Sequence, residues 1–394
     1  MISVHAKEAI SAGSTVSGEI TSESSRLKSL DILRGVTIAV MILVNTSGDG
    51  NHTYSFLSHS VWNGCTLADV VFPCFLFMVG ISLVFSLSAR LKRGDARSTI
   101  LLDALKRALI IFALGLAVNG FPLFHLQTLR IFGVLQRISL CFLFATLVYL
   151  WGRPKSLVVL LVSILVGYWI LLRWVPVPGF GMPGSDVAFL DPHGNLPAWL
   201  DRHLLPASHL YHQGYYDPEG LLSTISSIAS TVLGVLCGIW MKRTIPAGEK
   251  AKGLLVAGLV CLVSGLVWSI WFPLNKRLWT SSFVLFTGGI SVLALWLFFR
   301  LIDLRKSSTK MVYPAIVFGT NSLAVYIFSE FFAELLRAVK IRGSSMSLQA
   351  SLYRPIAAVI PDPYIAALLY AILFVGVCFL PIWFLYRKRI FIKV

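Results

Sequence analysis

TLADVVFPCFLFMVGISLVFSL, residues 66–87, is the stretch whose reading decides the architecture. Crossing a hydrocarbon core takes about 20 apolar residues in a helix, and this run supplies that length with one charge, Asp69, near its start. Comparable runs begin near Leu30, Ala104, Ile131, Ser156, Leu221, Gly253, Leu278, Val312 and Tyr364. The expectation is an all-α integral membrane protein with about ten transmembrane helices. Composition agrees: the 394 residues are 56% hydrophobic and 13% charged, with a mean hydropathy of +0.78. That is far more apolar residue than a water-facing surface tolerates.

The 34 Lys and Arg against 18 Asp and Glu give a net charge of +16. Such a balance can point to nucleic acid, but here the basic residues stand in short clusters between apolar runs. They read as topology signals, and nucleic acid is excluded as a partner. Placing the N-terminus in the cytoplasm gathers Arg90, Lys92, Arg93, Arg97, Lys106, Arg107, Arg153 and Lys155 on that side. Lys242, Arg243, Lys250, Lys252, Arg300, Arg305, Lys306 and Lys310 join them. With Lys7, Arg26, Lys28, Arg34 and the terminal Arg387, Lys388, Arg389 and Lys393, about 24 of the 34 basic residues lie inside, as the positive-inside rule requires. Both termini are expected in the cytoplasm. The first thirty residues are polar and have no apolar signal-peptide core.

One transmembrane domain, 30–394, therefore follows a cytoplasmic tail, 1–29. Its outward segments fall at about 45–65, 120–130, 174–220, 272–277 and 341–363. The third is longer than a helix connection needs, and loops of that length carry function. Five of the six cysteines sit inside apolar runs and Cys65 near a loop, which implies no disulfide framework. No P-loop, HExxH, paired CxxC or dinucleotide glycine motif occurs, and no metal site is expected.

Polar residues are expensive inside a membrane and mark candidate sites. Arg34 and Asn45, eleven residues apart on the first helix, fall on one face about 16 Å apart, where they could line one passage. An interfacial anchor paired with Asp31 is the plainer reading of Arg34, and an interhelical hydrogen bond that of Asn45. Asp69 lies one turn into the second helix, with Pro73 four residues later. It can hold an imidazole in one tautomer, neutralise a buried arginine such as Arg137, or serve as a structural ion pair. Asp217-Pro218-Glu219 reads as a helix start: an Asx cap, proline at the first position and an acid in the first turn. The functional alternative is that the two carboxylates, beside Tyr215 and Tyr216, receive a cationic or hydroxyl-rich substrate. Composition alone does not choose among the eight histidines.

Six strings, in order, take the reading further: RLKSLDILRGVTIAVMILVN (26–45), HSVWNGCTLADVVFPCFLFMVGIS (59–82), GVLQRISLCF (133–142), YDPEGLLSTISSIASTVLGVLCG (216–238), FPLNKRLWTSSFVLFTGG (272–289) and FGTNSLAVYIFSE (318–330). Together they resemble the transmembrane heparan-α-glucosaminide N-acetyltransferase family. More distantly, the LDxLRG opening of the first helix resembles the acyltransferase-3 membrane proteins, which have a histidine where this chain has Asn45. The closer resemblance implies transfer of acetyl from cytoplasmic acetyl-CoA to the amino group of a terminal glucosamine across the membrane. It implies His59 as the catalytic histidine and Asn45 as the asparagine near it, with Asp69 orienting or balancing the site. Arg34, Gln136 and Arg137 are candidates for binding acetyl-CoA. Trp62, Asn63, Tyr216, Asp217, Glu219 and Asn275 are candidates for the acceptor, glucosamine or a glucosaminide.

Lysosomal members begin with an extra lumenal domain, whereas this chain opens on a short tail, so it looks like a bacterial relative in the cytoplasmic (inner) membrane, with a homodimer left open. The segment between Asn45 and His59 is a few residues longer than the animal pattern. General-base attack and a covalent acetyl-histidine relay both remain open. So do O-acetylation of an envelope polysaccharide and transport of amino sugars, although the two related halves many transporters show are not evident.

Overall fold

The structure, a computed structural model, describes residues 27–306, 310–341 and 345–392. Lys7, Arg26 and Lys393, counted above among the inward charges, lie outside them, as does most of the tail at 1–29. Thirteen α-helices account for the described residues: α1 (Lys28–Asn45), α2 (Leu67–Lys92), α3 (Arg97–Gly120), α4 (Val134–Trp151), α5 (Pro154–Trp174), α6 (Leu196–Leu204), α7 (Leu221–Met241), α8 (Ala247–Trp268), α9 (Ser281–Phe298), α10 (Tyr313–Thr320), α11 (Ser322–Ala338), α12 (Leu348–Val359) and α13 (Pro363–Arg387). Their starts follow local chemistry. Thr66 and Asp69 form a capping box at α2, Asn195 caps α6, and Asp362 accepts from Tyr364 N–H and Ile365 N–H ahead of Pro363 at α13.

Each of the ten apolar runs becomes a helix, with two corrections. Seven helices, α2, α4, α5, α7, α8, α9 with its π-helical extension to Leu304, and α13, are long and apolar enough to cross a membrane. The run expected from Val312 is two helices, α10 and α11, bent by 86° at Asn321. α1 and α3 carry more charge than a simple span: Lys28, Asp31 and Arg34 in the first, Arg97, Asp103, Lys106 and Arg107 in the second. In both, those charges lie in the first half of the helix and the rest is apolar.

The centre is α2 against α7, where 72% and 67% of the apolar windows are buried. α5 and α8 flank it with 28% and 22% buried and turn Val158, Val159, Val162, Val256, Val260 and Val263 outward, the pattern of helices facing lipid. With lipid as apolar as leucine, helices associate through close packing. A Cβ at Gly80 would overlap the Thr231 carbonyl, and one at Gly234 the Phe77 carbonyl, so these two glycines set how closely α2 and α7 approach.

The loops gather at two ends. At the first, Ser29 N–H donates to Asp303 (3.2 Å) and Asn321 holds the chain terminus through Ile390 O (3.1 Å) and Ile392 N–H (2.8 Å). At the opposite end, Trp62 Nε1 donates to Leu190 O (2.7 Å), Asn275 Nδ2 to Asn63 Oδ1 (3.1 Å) and Gln349 Nε2 to Ser47 O (3.2 Å). All five segments assigned outward share this second end. The long loop is folded rather than open, with α6 inside it, and α12 lies within the segment at 341–363.

Candidate active site

The α2 start builds the first part of the site. Asp69 is fully buried at the third position of the helix, and its Oδ2 accepts from Ser60 N–H (3.1 Å), Thr66 N–H (3.0 Å) and Thr66 Oγ1 (3.1 Å). Its Oδ1 faces His59 Nδ1 at 2.9 Å. A carboxylate only accepts, so Nδ1 is the donor in this contact, and in the neutral imidazole Nε2 is then the acceptor. Of the readings open for Asp69, contact with an imidazole and a structural ion pair, here with Lys276 at 3.7 Å, are both compatible with its partners, whereas Arg137 bonds elsewhere.

His59 opens into a cavity of about 710 Å³ at the second end. Asn45, at the last position of α1, enters the same cavity and donates from Nδ2 to Glu330 Oε1 (3.4 Å). Lys276 arrives from the loop between α8 and α9, with Nζ 3.1 and 3.3 Å from the two imidazole nitrogens and 3.7 Å from Asp69 Oδ1. Burial lowers the Lys276 pKa, while Asp69 and Glu219 oppose that shift.

Asp217 and Glu219 have a different setting from the expected one. α7 starts at Leu221 with Gly220 at its N-cap and no side-chain cap, so Asp217 is not the helix cap and Pro218 is not its first residue. The cause is Arg130: Nε donates to Asp217 Oδ2 (2.8 Å) and Nη2 reaches both Asp217 Oδ1 and Glu219 Oε2. Asp217 closes a turn by accepting from Glu219 N–H (2.9 Å) and is 2% exposed, away from the cavity; Glu219 lines it. Burial alone would raise the Glu219 pKa, but Arg130, Arg137 and Lys276 hold it below the ordinary carboxylate value. Beneath this turn Asp201 accepts from Asp217 N–H (3.0 Å), and burial with the Asp217 charge pushes its carboxyl up to about 7.

The remaining acceptor candidates tie loops together. Tyr216 packs edge-on against Trp62 and accepts from Arg277 Nη1 (2.6 Å), and buried Asn275 bonds Asn63 and Leu278 N–H. None of these four is among the residues lining the cavity.

The acetyl-CoA candidates separate. Arg34 lines a second cavity, about 320 Å³, at the first end, where it bonds Asp31 (3.1 Å), Gly319 O (3.1 Å) and Ser82 Oγ (2.6 Å). Arg90 and Arg107 line it too; Arg90 is paired with Asp95 and Asp103, while Arg107 has no ion-pair partner among the described residues. Three guanidinium groups fit a phosphate-bearing ligand. Arg137 lines neither cavity: it donates to Pro218 O (2.8 Å), Ser223 and Thr224, fastening the α7 start. Gln136 lines the His59 cavity, 1% exposed, its amide without a hydrogen-bond partner among the described residues. Arg34 and Asn45 thus open on different cavities at opposite ends of α1. The two spaces come within one turn of each other: Phe75, Ile111 and Ile138 line one, Phe72, Gly115 and Leu135 the other.

Sequence reading missed Arg130, Lys276, Glu330 and Arg107. Lys276 and Glu330 do stand inside quoted strings, at NKRLW and at the end of AVYIFSE, and a charge at the edge of an apolar run was the available signal.

Residues 26–184 match the family model described as heparan-alpha-glucosaminide N-acetyltransferase, catalytic. The chain is 30% identical over 363 residues to heparan-alpha-glucosaminide N-acetyltransferase of Homo sapiens, covering 78% of this chain and 53% of the relative. With the enzyme of the same name from Mus musculus it is 29% identical over 361 residues, with the same coverage. The chain spans about half the length of these curated relatives. The catalytic-region match takes in α1, α2, Asn45, His59 and Asp69, and with this likeness over most of the chain's length the similarity is to the heparan-α-glucosaminide N-acetyltransferases.

Proposed function

We propose that this protein is a transmembrane acetyltransferase that moves acetyl from acetyl-CoA, bound at the cytoplasmic end, to the amino group of glucosamine or a terminal glucosaminide in the opposite cavity. The observation that carries the reading is the Asp69–His59 pair opening, together with Asn45, into a 710 Å³ cavity in a chain with this likeness. In this reading the chain crosses the cytoplasmic membrane ten times with both ends inside, the broken α10–α11 pair counting as one crossing. The support is the gathering of all five segments assigned outward at the His59 end, away from the basic clusters that begin α3 and end α2.

A thioester already activates acetyl, so the protein needs mainly to align an amine with the carbonyl and handle one proton. His59 Nε2 takes the proton of the attacking amine as the C–N bond forms, Asp69 steadies the resulting imidazolium, and the proton passes to the thiolate released when the C–S bond breaks. Asn45 Nδ2 and Lys276 Nζ bring donors and positive charge to the carbonyl oxygen as it becomes negative. Arg34, Arg90 and Arg107 hold the phosphates, and the unpaired Gln136 amide is available to the acyl-bearing arm.

The test is purified protein with acetyl-CoA and glucosamine. Coupled appearance of free CoA and N-acetylglucosamine supports transfer; movement of glucosamine into vesicles with no acetylation overturns it in favour of transport.

A further inference from the structure

Four carboxylates lie along the His59 cavity: Asp69, Glu219, Glu330 and Glu334. Three already have a cation. Asp69 has Lys276 at 3.7 Å, Glu219 has Arg130, and Glu334 has Arg337 at 3.1 Å. Glu330 has none at ion-pair distance among the described residues; its contact is the Asn45 amide at 3.4 Å. It belongs to the α11 face, with Tyr326 one turn before and Glu334 one turn after, that forms one wall of this cavity. The Arg337 charge reaches it only from beyond ion-pair distance, a half-buried carboxylate without a paired cation is costly, and here it stands beside the asparagine that shares the cavity with His59.

We propose that Glu330 is the counter-charge for the acceptor's protonated amine, and that it makes the site select amines over hydroxyl acceptors. The inference rests on the acetyltransferase reading above and deepens it. The carboxylate accepts from the –NH3+ group and holds its nitrogen beside Asn45. The ammonium releases one proton to solvent before attack and the second to His59 during it, so the overall reaction from R–NH3+ and acetyl-CoA gives R–NH–acetyl, CoA–SH and one H+. A hydroxyl brings no positive charge and leaves Glu330 uncompensated.

The test compares the wild type, Glu330→Gln and Glu330→Asp with glucosamine as acceptor and glucose, a hydroxyl in place of the amine at the same carbon, as competitor. A hydrogen bond to a charged group supports an increase of roughly 10- to 100-fold in KM for glucosamine in Glu330→Gln. KM for acetyl-CoA should stay within about twofold, and Glu330→Asp should recover part of the loss. Glucose should inhibit the wild type at least about tenfold more weakly than glucosamine binds, a gap that closes in Glu330→Gln. An unchanged KM for glucosamine overturns the proposal, and so does a loss confined to kcat, which would make Glu330 a support for Asn45 alone. Should the Gln variant fail to fold, equal binding of glucose and glucosamine by the wild type overturns it without a variant. A wild type that acetylates no amine refutes the acetyltransferase reading itself, an outcome separate from these.

Discussion

Asp69→Asn tests the centre of the site with a change of one atom. Ser60 N–H, Thr66 N–H and Thr66 Oγ1 all converge on Oδ2. An amide at this position must therefore put its oxygen there and its NH2 in the place of Oδ1, 2.9 Å from His59 Nδ1. The NH2 then donates to Nδ1, which must accept, and the imidazole proton moves to Nε2. The nitrogen facing the cavity becomes a donor, and the base is lost while the loop is still held by the same bonds. General-base assistance contributes about 10²–10⁴ in rate, so Asp69→Asn should lose a comparable factor in kcat with the protein still folded. His59→Ala should lose the same range, and the double variant little more than either alone, because one unit is removed once. The assay is acetyl-CoA-dependent formation of N-acetylglucosamine at neutral pH, with thermal unfolding in detergent as the folding control. Asp69→Asn activity within about threefold of wild type, or losses in the two single variants that multiply in the double, would refute the tautomer argument.

Sidedness is tested by cysteine labelling in intact cells, with Cys65 replaced by Ser: a cysteine at exposed Ser185 should react with an impermeant reagent, whereas one at exposed Ser98 or Thr244 should not. Arg107→Gln should raise KM for acetyl-CoA by about tenfold and leave KM for glucosamine alone; the reverse pattern would move the phosphate site away from this cavity. Asp201 predicts a pH effect. Its folded pKa of about 7 lies above the ordinary 3.8, so its contribution to stability is full below about pH 4 and is lost as pH rises through 7. The size is at most about 4 kcal/mol. Asp201→Asn keeps the acceptor for Asp217 N–H and cannot ionise, so its melting temperature should gain on wild type between pH 6 and pH 8; a constant difference would show that Asp201 does not titrate there.

What could be read from the chain depended on how local the signal was. Apolar runs are properties of about 20 consecutive residues, and each produced a helix where one was expected. His59 and Asp69 are ten residues apart within one string, so their pairing needed only a helix start between them. The ion pairs were not legible in the same way: Arg130 meets Asp217 across 87 positions and Lys276 meets His59 across 217. Asp217-Pro218-Glu219 shows how a local rule loses to a distant partner. The three residues have the chemistry of a helix start, but a half-buried guanidinium takes both carboxylates and the helix begins at Leu221 instead. Asn321 was equally opaque, since the bend it marks depends on Ile390 and Ile392 at the far end of the chain.

The spacing of the two cavities bears on how acetyl would cross. Along α2 the linings change from Phe75 to Phe72, along α3 from Ile111 to Gly115, and along α4 from Ile138 to Leu135. Each step is about one helical turn, roughly 5 Å. Apart from the Gln136 amide the residues on both sides of that step are apolar, so a phosphate could not follow without a large desolvation cost, whereas an acyl group on a thin uncharged arm loses little by entering. Arg34, Arg90 and Arg107 line the cavity at the first end, and His59, Asn45 and Lys276, with Arg130, Arg277 and Arg337, line the other. In the acetyltransferase reading this closeness removes any need to carry the whole donor across: the thioester has to advance only about one helical turn, roughly 5 Å, toward the imidazole while the phosphates stay with Arg34 and Arg107.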